Sequence, residues 1–346
     1  EIGHQNTIGD FHYHVNGNFS IIKNKDLGWE RELSYNVGTD ISLFDRRLNF
    51  TFDVYLKKTT DLVLDASRAP STGTTSAKEN IGEMENKGLE FQVDGMLVQR
   101  NDFYWQVAAT GSMNRNRILK INSALKKANE DANKVDSKTP LAQYEEGEST
   151  SALKVVKSAG IDPATGQEVF IKLNGERTFE YSADDKFVIG DTEPKFRGTV
   201  STNLFYKGFS LYLLGRYECG AYLYNTTRAT KVEGADPKKN ADKRVFSSRW
   251  KNPGDIAFYK DIADSEGWGT NPKHTDRFVE KENVFTLGTV NFGYEFRPNI
   301  CSKIGVRNLR VGVNLTDIVR WSNVKIERGT TYLYSNGFEF TLSTTF

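Results

Sequence analysis

Four histidines and two cysteines are all the near-neutral titrating side chains that 346 residues offer. His12 and His14, with Asp10, could ligate zinc. Three ligands on one polar stretch are more often incidental, so no metal and no cofactor is expected. So few histidines leave little for acid–base catalysis, and neither a glycine-rich phosphate cradle nor a G-x-S-x-G elbow occurs. No catalytic residues are assigned and the chain is not read as an enzyme. Cys219 and Cys301 are expected to be free, since one falls along an extended segment and the other in a turn. The remaining chemistry is that of binding. Tyr144, Trp250, Tyr259, Trp268, Tyr332 and Tyr334 fall between periodic segments. Aromatic faces there could stack on sugars or anchor an interface, or they could simply pack the loops.

Those aromatics must be carried by something, and the chain shows what. Phe338, Phe340, Leu342, Thr344 and Phe346 alternate with Glu339, Thr341, Ser343 and Thr345. Side chains of a strand point to opposite sides with period two, so this is a strand with one apolar and one polar face. Eight more segments follow the same rule: 34–44, 48–57, 87–98, 103–117, 195–206, 209–224, 284–297 and 308–320. Their polar faces are rich in Asn, Ser, Thr and Gln rather than the Lys and Glu that dress the outer face of a soluble sandwich. Arg197, Arg216, Glu218 and Arg310 fall on that polar face.

The connections alternate between short and long. Short links follow 44, 98, 206 and 297; the long ones are 65–78, 118–186, 225–283 and 323–336. Short turns at one end and long loops at the other mark an outer-membrane β-barrel with a wet lumen. Long loops are rare in compact soluble domains. Within the longest, 121–135 is spaced as a short helix, and Asp162-Pro163-Ala164-Thr165-Gly166 reads as a tight turn. No stretch approaches the roughly 18 apolar residues of a membrane-crossing helix. With 46 basic against 45 acidic side chains, a nucleic-acid partner has no electrostatic support.

Bacterial single-chain barrels have even strand numbers and short periplasmic turns. Nine strands ending on the periplasmic side imply that the first begins outside. Residues 1–32 are then the tail of an extracellular loop, and 33–346 are nine strands that cannot close alone. The expectation is the C-terminal part of a larger barrel, its first and last strands pairing with the remainder. No export signal precedes Glu1, so one was removed or the chain is a piece of something larger.

Several segments resemble the SusC/RagA-type TonB-dependent transporters. They are Leu27-Gly28-Trp29-Glu30, the run from Asp53 through Leu62, Asn80 through Glu90, Asn114-Arg115-Asn116, and Gly160 through Gly166. Ile189-Gly190-Asp191 with Pro194-Lys195-Phe196, Arg249 through Asp255, and Arg277-Phe278-Val279-Glu280 complete the series in family order. The resemblance implies an outer-membrane barrel of 22 strands, filled by an N-terminal plug and energised by TonB through a part not contained here. It also implies a SusD-like lipoprotein lid over the mouth and import of oligosaccharides or oligopeptides. On that reading the loop aromatics are ligand or lid contacts, and Arg197, Arg216, Glu218 and Arg310 meet the plug or each other. Phe346 then serves as a barrel-insertion signal amid outer-membrane lipid. The alternative is a β-rich surface adhesin or glycan-binding protein without transport.

Overall fold

The computed structural model of the protein describes residues 5–8, 11–14, 19–22, 27–67, 76–135, 137–236, 238, 242–262, 273–325 and 335–346. The elements in chain order begin with three short strands, β1 (Gln5–Ile8), β2 (Phe11–His14) and β3 (Phe19–Ile22). Long strands follow: β4 (Arg31–Leu43), β5 (Leu48–Ser67), β6 (Ser76–Arg100) and β7 (Phe103–Ile121). Helix α1 (Ser123–Lys134) precedes β8 (Ala152–Ile161), β9 (Glu168–Ile171), β10 (Arg177–Thr178) and β11 (Lys186–Asp191). Then come β12 (Phe196–Tyr206), β13 (Phe209–Tyr224), β14 (Val279–Glu295), α2 (Pro298–Lys303), β15 (Asn308–Ser322) and β16 (Gly337–Thr345).

Nine strands form one antiparallel sheet in the order β16-β15-β14-β13-β12-β7-β6-β5-β4, the same nine that alternation marks out. Neighbours in the sheet are neighbours in sequence except where β8–β11 intervene. The sheet is open, with β4 and β16 at its two edges. Two smaller sheets stand apart from it in pairing, β1-β2-β3 and β10-β9-β8-β11. The first lies within the stretch expected to be a plain loop tail.

Register fixes the two faces. One cross-strand row runs Phe52, Phe91, Gly111, Gly198, Tyr217, Phe285, Trp321. The next row on that face holds Phe50, Val93, Ala109, Val200 and Leu287, and three rows further on come Phe103, Tyr206, Phe209, Tyr294 and Val311. The rings of Phe91, Phe196 and Tyr217 lie over Gly111 and Gly198, where a Cβ would collide with them. The opposite face carries Thr51, Gln92, Thr110, Thr199, Arg216, Thr286 and Arg320 in one row. From Phe103 to Met113 the apolar face covers ten residue steps, about 33 Å of strand; tilted by about 40° it rises about 25 Å, the height of a barrel's lipid band. Among the described residues no helix is long and apolar enough to cross a membrane.

The tight turns sit at one end. Phe44, Asp45 and Arg46 take left-handed φ between β4 and β5, and Lys207-Gly208 does the same between β12 and β13, matching the twist of a two-residue hairpin. At the other end strand runs into both sides of the expected loop 65–78, because β5 and β6 go on pairing to Ser67 and Ser76; residues 68–75 lie outside the described residues. At 25 residues β6 is far longer than the 9–11 a crossing needs, so this hairpin stands well clear of the lipid. The expected loop 118–186 likewise contains the end of β7, the anticipated helix, β8–β10 and the first residue of β11, and β14 already starts at Val279, inside the expected loop 225–283. Cys301 lies buried in α2 and both cysteines are free. Phe346 follows the last strand, fully outside it and exposed. The fully buried side chains include Val155, Val156, Val232, Val245 and Phe278, so the core sits between the long loops rather than within the sheet.

Candidate functional site

The family-like motifs meet in three places. In the first, Asn80 of β6 accepts from the Gly28 N–H at 2.7 Å and donates to the carbonyls of Gly28 and Asp61 at 3.1 and 2.6 Å. Asp61 has φ 56 at a bulge in β5 and pairs with Arg31 at 2.5 Å. Glu30 accepts from the Val63 N–H at 3.3 Å. One asparagine therefore fixes where the chain enters β4 and how β5 bends. Gly82, two residues on, packs against the Lys120 carbonyl of β7, where any Cβ would clash.

The second place is the polar face of β4–β7 and β12. The Tyr55 hydroxyl lies over Gly88 and donates to Asn114 Oδ1 at 3.1 Å; Asn116 donates to Asn86 at 2.8 Å. Thr51 donates to Asp40 at 2.7 Å, and Gln106 to Asp94 at 2.5 Å. This amide- and hydroxyl-rich wall opens into a cleft of about 710 Å³ lined in part by Asn36, Asp53, Tyr55, Asn86 and Glu90. Arg197 lies 3.9 Å from Glu193 and stands opposite Glu218 across the β12–β13 pair. Arg310 reaches Ser210 at 3.4 Å across the glycine of β14, Gly293. Arg216 pairs with Asp317 at 3.3 Å. Simple alternation would aim Asp317 outward; its φ of 52, opposite the bulge at Gly288, turns it to the polar face instead.

The third place is the body built from the two long loops. Arg277 uses every guanidinium donor. Its Nε and Nη2 donate to Glu168 at 2.6 and 2.5 Å; its Nη1 and Nη2 donate to Glu233 at 2.8 and 2.6 Å; Nη1 also reaches the Phe258 carbonyl at 2.7 Å. The three side chains are 7%, 4% and 6% exposed. Burial pulls the Arg277 pKa down, but Glu233 and Glu168 outweigh it and the net shift is upward. Arg249 balances the second carboxylate. It too is buried, which lowers its pKa, and it donates to the carbonyls of Val245, Lys260, Val232 and Glu233. Glu168 belongs to the loop after β7, whereas Glu233, Arg249 and Arg277 belong to the loop after β13. The Asp162–Gly166 turn forms as expected, with Thr165 donating to Asp162 through N–H and hydroxyl. Onto it dock Trp250, whose indole N–H donates to the Pro163 carbonyl at 2.9 Å, and the Gly254 N–H, at 2.7 Å to the same oxygen. Buried Lys154 gathers Glu145 and Glu148 at 2.7 and 2.6 Å.

The aromatics singled out by sequence divide accordingly. Trp250 and Tyr259 are buried in the joined loops, and Tyr144 packs on Ile118, Ile121 and Leu125 at the top of β7. Trp268, Tyr332 and Tyr334, like Asp10, lie outside the described residues. Among the described residues no cluster suited to a metal occurs. Exposed apolar side chains of the loop body include Leu173, Phe179, Val188, Phe246 and Ile256, the last 96% exposed. A tip position beside the Asn252–Asp255 turn was the only sequence signal for Ile256.

A family model described as TonB dependent receptor-like, beta-barrel, matches residues 3–314. TonB-dependent receptor P39 of Formosa agariphila is 25% identical over 365 residues, covering 91% of this chain and 34% of that protein. TonB-dependent receptor SusC of Bacteroides thetaiotaomicron is 32% identical over 100 residues, 28% of this chain and 10% of that protein. Among solved structures, the RagAB peptide transporter superposes with a TM-score of 0.73 at 20% identity, over 93% of this chain and 35% of that one. The RagAB importer in its open-open state gives 0.74 at 20% identity, over 100% and 38%. The chain spans about a third of the length of the first of these relatives.

Proposed function

This chain belongs to the TonB-dependent receptor-like β-barrel family, and from that premise we propose that it forms wall and mouth of an outer-membrane importer. The polar face of the sheet lines the lumen and faces a plug domain. Energy arrives from TonB through another part of the same protein. A SusD-like lipoprotein covers the mouth, and the cargo is an oligosaccharide or oligopeptide. The role is transport without catalysis.

The observation that carries this reading is the loop body. Two loops that could move separately are tied by a buried Arg277–Glu168–Glu233 cluster at one end of a strand sheet whose polar face is wet. A rigid platform with an exposed apolar face suits a partner that closes on it; an interface of standard size uses on the order of 20–30 residues a side. The amides and hydroxyls along the wall offer neutral hydrogen bonds to a polar cargo passing beneath. A surface adhesin would need neither the wet inner face nor a platform at its mouth.

The test uses the full-length transporter with Phe246→Asp and Ile256→Asp, both exposed. The variant should reach the outer membrane at normal level, lose its co-purifying lipoprotein and fail to support growth on the imported nutrient. Normal co-purification and growth would remove the loop body from the docking surface.

A further inference from the structure

Asn114-Arg115-Asn116 sends its two asparagines to the polar face, where they bond Tyr55, Asn86 and, through the Thr150 N–H, the loop. Arg115 between them faces the other way. On β5, β6 and β7 the apolar face runs upward through the row Val54–Leu89–Met113. The next row is Leu56–Lys87–Arg115, and the one above it is Lys58–Glu85–Arg117. Apolar side chains give way to cations in register across the strands. The change comes at the upper edge of the roughly 25 Å band counted from Phe103, where hydrocarbon ends and headgroups begin.

The charges there are not internally balanced. Lys58 pairs with Glu83 at 3.0 Å and Lys87 lies 3.6 Å from Glu85. Arg115 and Arg117 are both exposed, and neither has a carboxylate partner among the described residues. Lys87 and Arg115 stand directly opposite one another across the ladder, and like charges in that position destabilise a sheet. An anion between them converts the repulsion into two charge-assisted bonds, and a guanidinium fork suits phosphate oxygens.

We infer that Lys87, Arg115 and Arg117 form a binding surface for the phosphorylated headgroup of a lipid in the outer leaflet. The row lies on the lipid side of the sheet, continuous with the apolar band, so the occupant's acyl chains lie against Val54, Leu89 and Met113. The contact is outside the lumen and separate from cargo and lid. It holds the barrel at a fixed depth through headgroup as well as hydrocarbon.

The test is made on the full-length transporter in phosphatidylcholine nanodiscs containing a few per cent of phosphorylated lipid A, with retained lipid counted by native mass spectrometry. The probes are phosphorylated lipid A and its dephosphorylated form. Wild type should retain the phosphorylated form selectively. The variant K87Q/R115Q/R117Q, with heat-modifiable mobility checked for a folded barrel, should lose affinity on the order of 100-fold, each interfacial cation contributing roughly tenfold or less. Arg197→Gln, on the lumen side, should retain lipid as wild type does. Equal retention of both lipid A forms by wild type would overturn the inference, as would undiminished retention by the triple variant. A triple variant that keeps its lipid and loses self-association would make the row a protein interface instead.

Discussion

Removing Arg277 asks how much the loop body depends on one buried charge. Arg277→Met keeps length and apolar stem but leaves Glu168 and Glu233, 4% and 6% exposed, without their shared cation. Breaking a buried pair by deleting one partner costs about 3–5 kcal/mol, because the remaining charge stays desolvated. Here two carboxylates are stranded, but the Arg249 cation still interacts with the Glu233 charge, so the lower half of that range is expected. About 3 kcal/mol corresponds to a rise on the order of 100-fold in the population of opened loops. The assay is limited proteolysis of full-length transporter in purified outer membranes, reading cleavage within 122–195 and 225–278. The sheet ladder does not involve Arg277, so the barrel should keep its heat-modifiable mobility. Adding Glu168→Gln and Glu233→Gln to Arg277→Met should recover most of the protection, because neutral amides tolerate burial better than orphaned charges. Cleavage of Arg277→Met within threefold of wild type would refute the idea that this cluster holds the two loops together.

Other expectations follow from the same geometry. Arg at Leu213, on the lipid face near the midplane, should cost roughly 2–4 kcal/mol, and Arg at Val54, in the uppermost apolar row, about 1 kcal/mol or less, whereas Arg at Thr51 or Ser210 should fold normally; equal yields of folded barrel for Leu213→Arg and Ser210→Arg would reverse the assigned faces. Asp276 in the loop body has its pKa raised by burial above the ordinary 3.8. A raised folded value means stability is greatest below 3.8 and declines as pH rises through the folded value, so Asp276→Asn, which can still accept from the Ser158 N–H, should flatten the acid-side slope of loop protection; an unchanged slope assigns it elsewhere. Asn80→Ala removes one acceptor and two donations at once and should speed cleavage near 27–30 and 60–62 by at least tenfold, each lost bond being worth about 1 kcal/mol; cleavage at the wild-type rate would deny the clamp.

The sheet was legible because its rule is local. Period-two alternation needs no knowledge of partners, and all nine strands of the large sheet follow it. Legibility failed where the rule changes. Beyond the lipid-facing rows the clean alternation of β5 and β6 lapses, so the strand ends at 65–67 and 76–78 read as loop. At Gly288 a bulge shifts the phase of β14, which hid its start at Val279 and left Asp317 on the wrong side. The helix at Ser123–Lys134 and the Asp162–Gly166 turn were readable from spacing and turn chemistry. The loop body was not. Arg277 and Glu168 are 109 positions apart, and nothing in either neighbourhood marks the other. Residue type alone named Trp250 and Tyr259 as contacts, although aromatics serve equally as core. The structure buries both, and the exposed apolar positions are less conspicuous residues such as Ile256.

The joining of the loops also constrains how they can diversify. Glu168 comes from one loop, Glu233 and Arg277 from the other, and Trp250 of the second is seated on the Pro163–Gly166 turn of the first. A recombination event that brings in one loop from a relative leaves behind a buried charge and an unfilled seat for an indole. Only exchange of the segment from 122 through 278 as a unit, with β12 and β13 between the loops, carries both halves of these loop-to-loop contacts. The grain of inheritance in these loops is therefore coarser than a single loop, while exposed positions such as Phe246 and Ile256 answer to whatever docks on them rather than to the other loop.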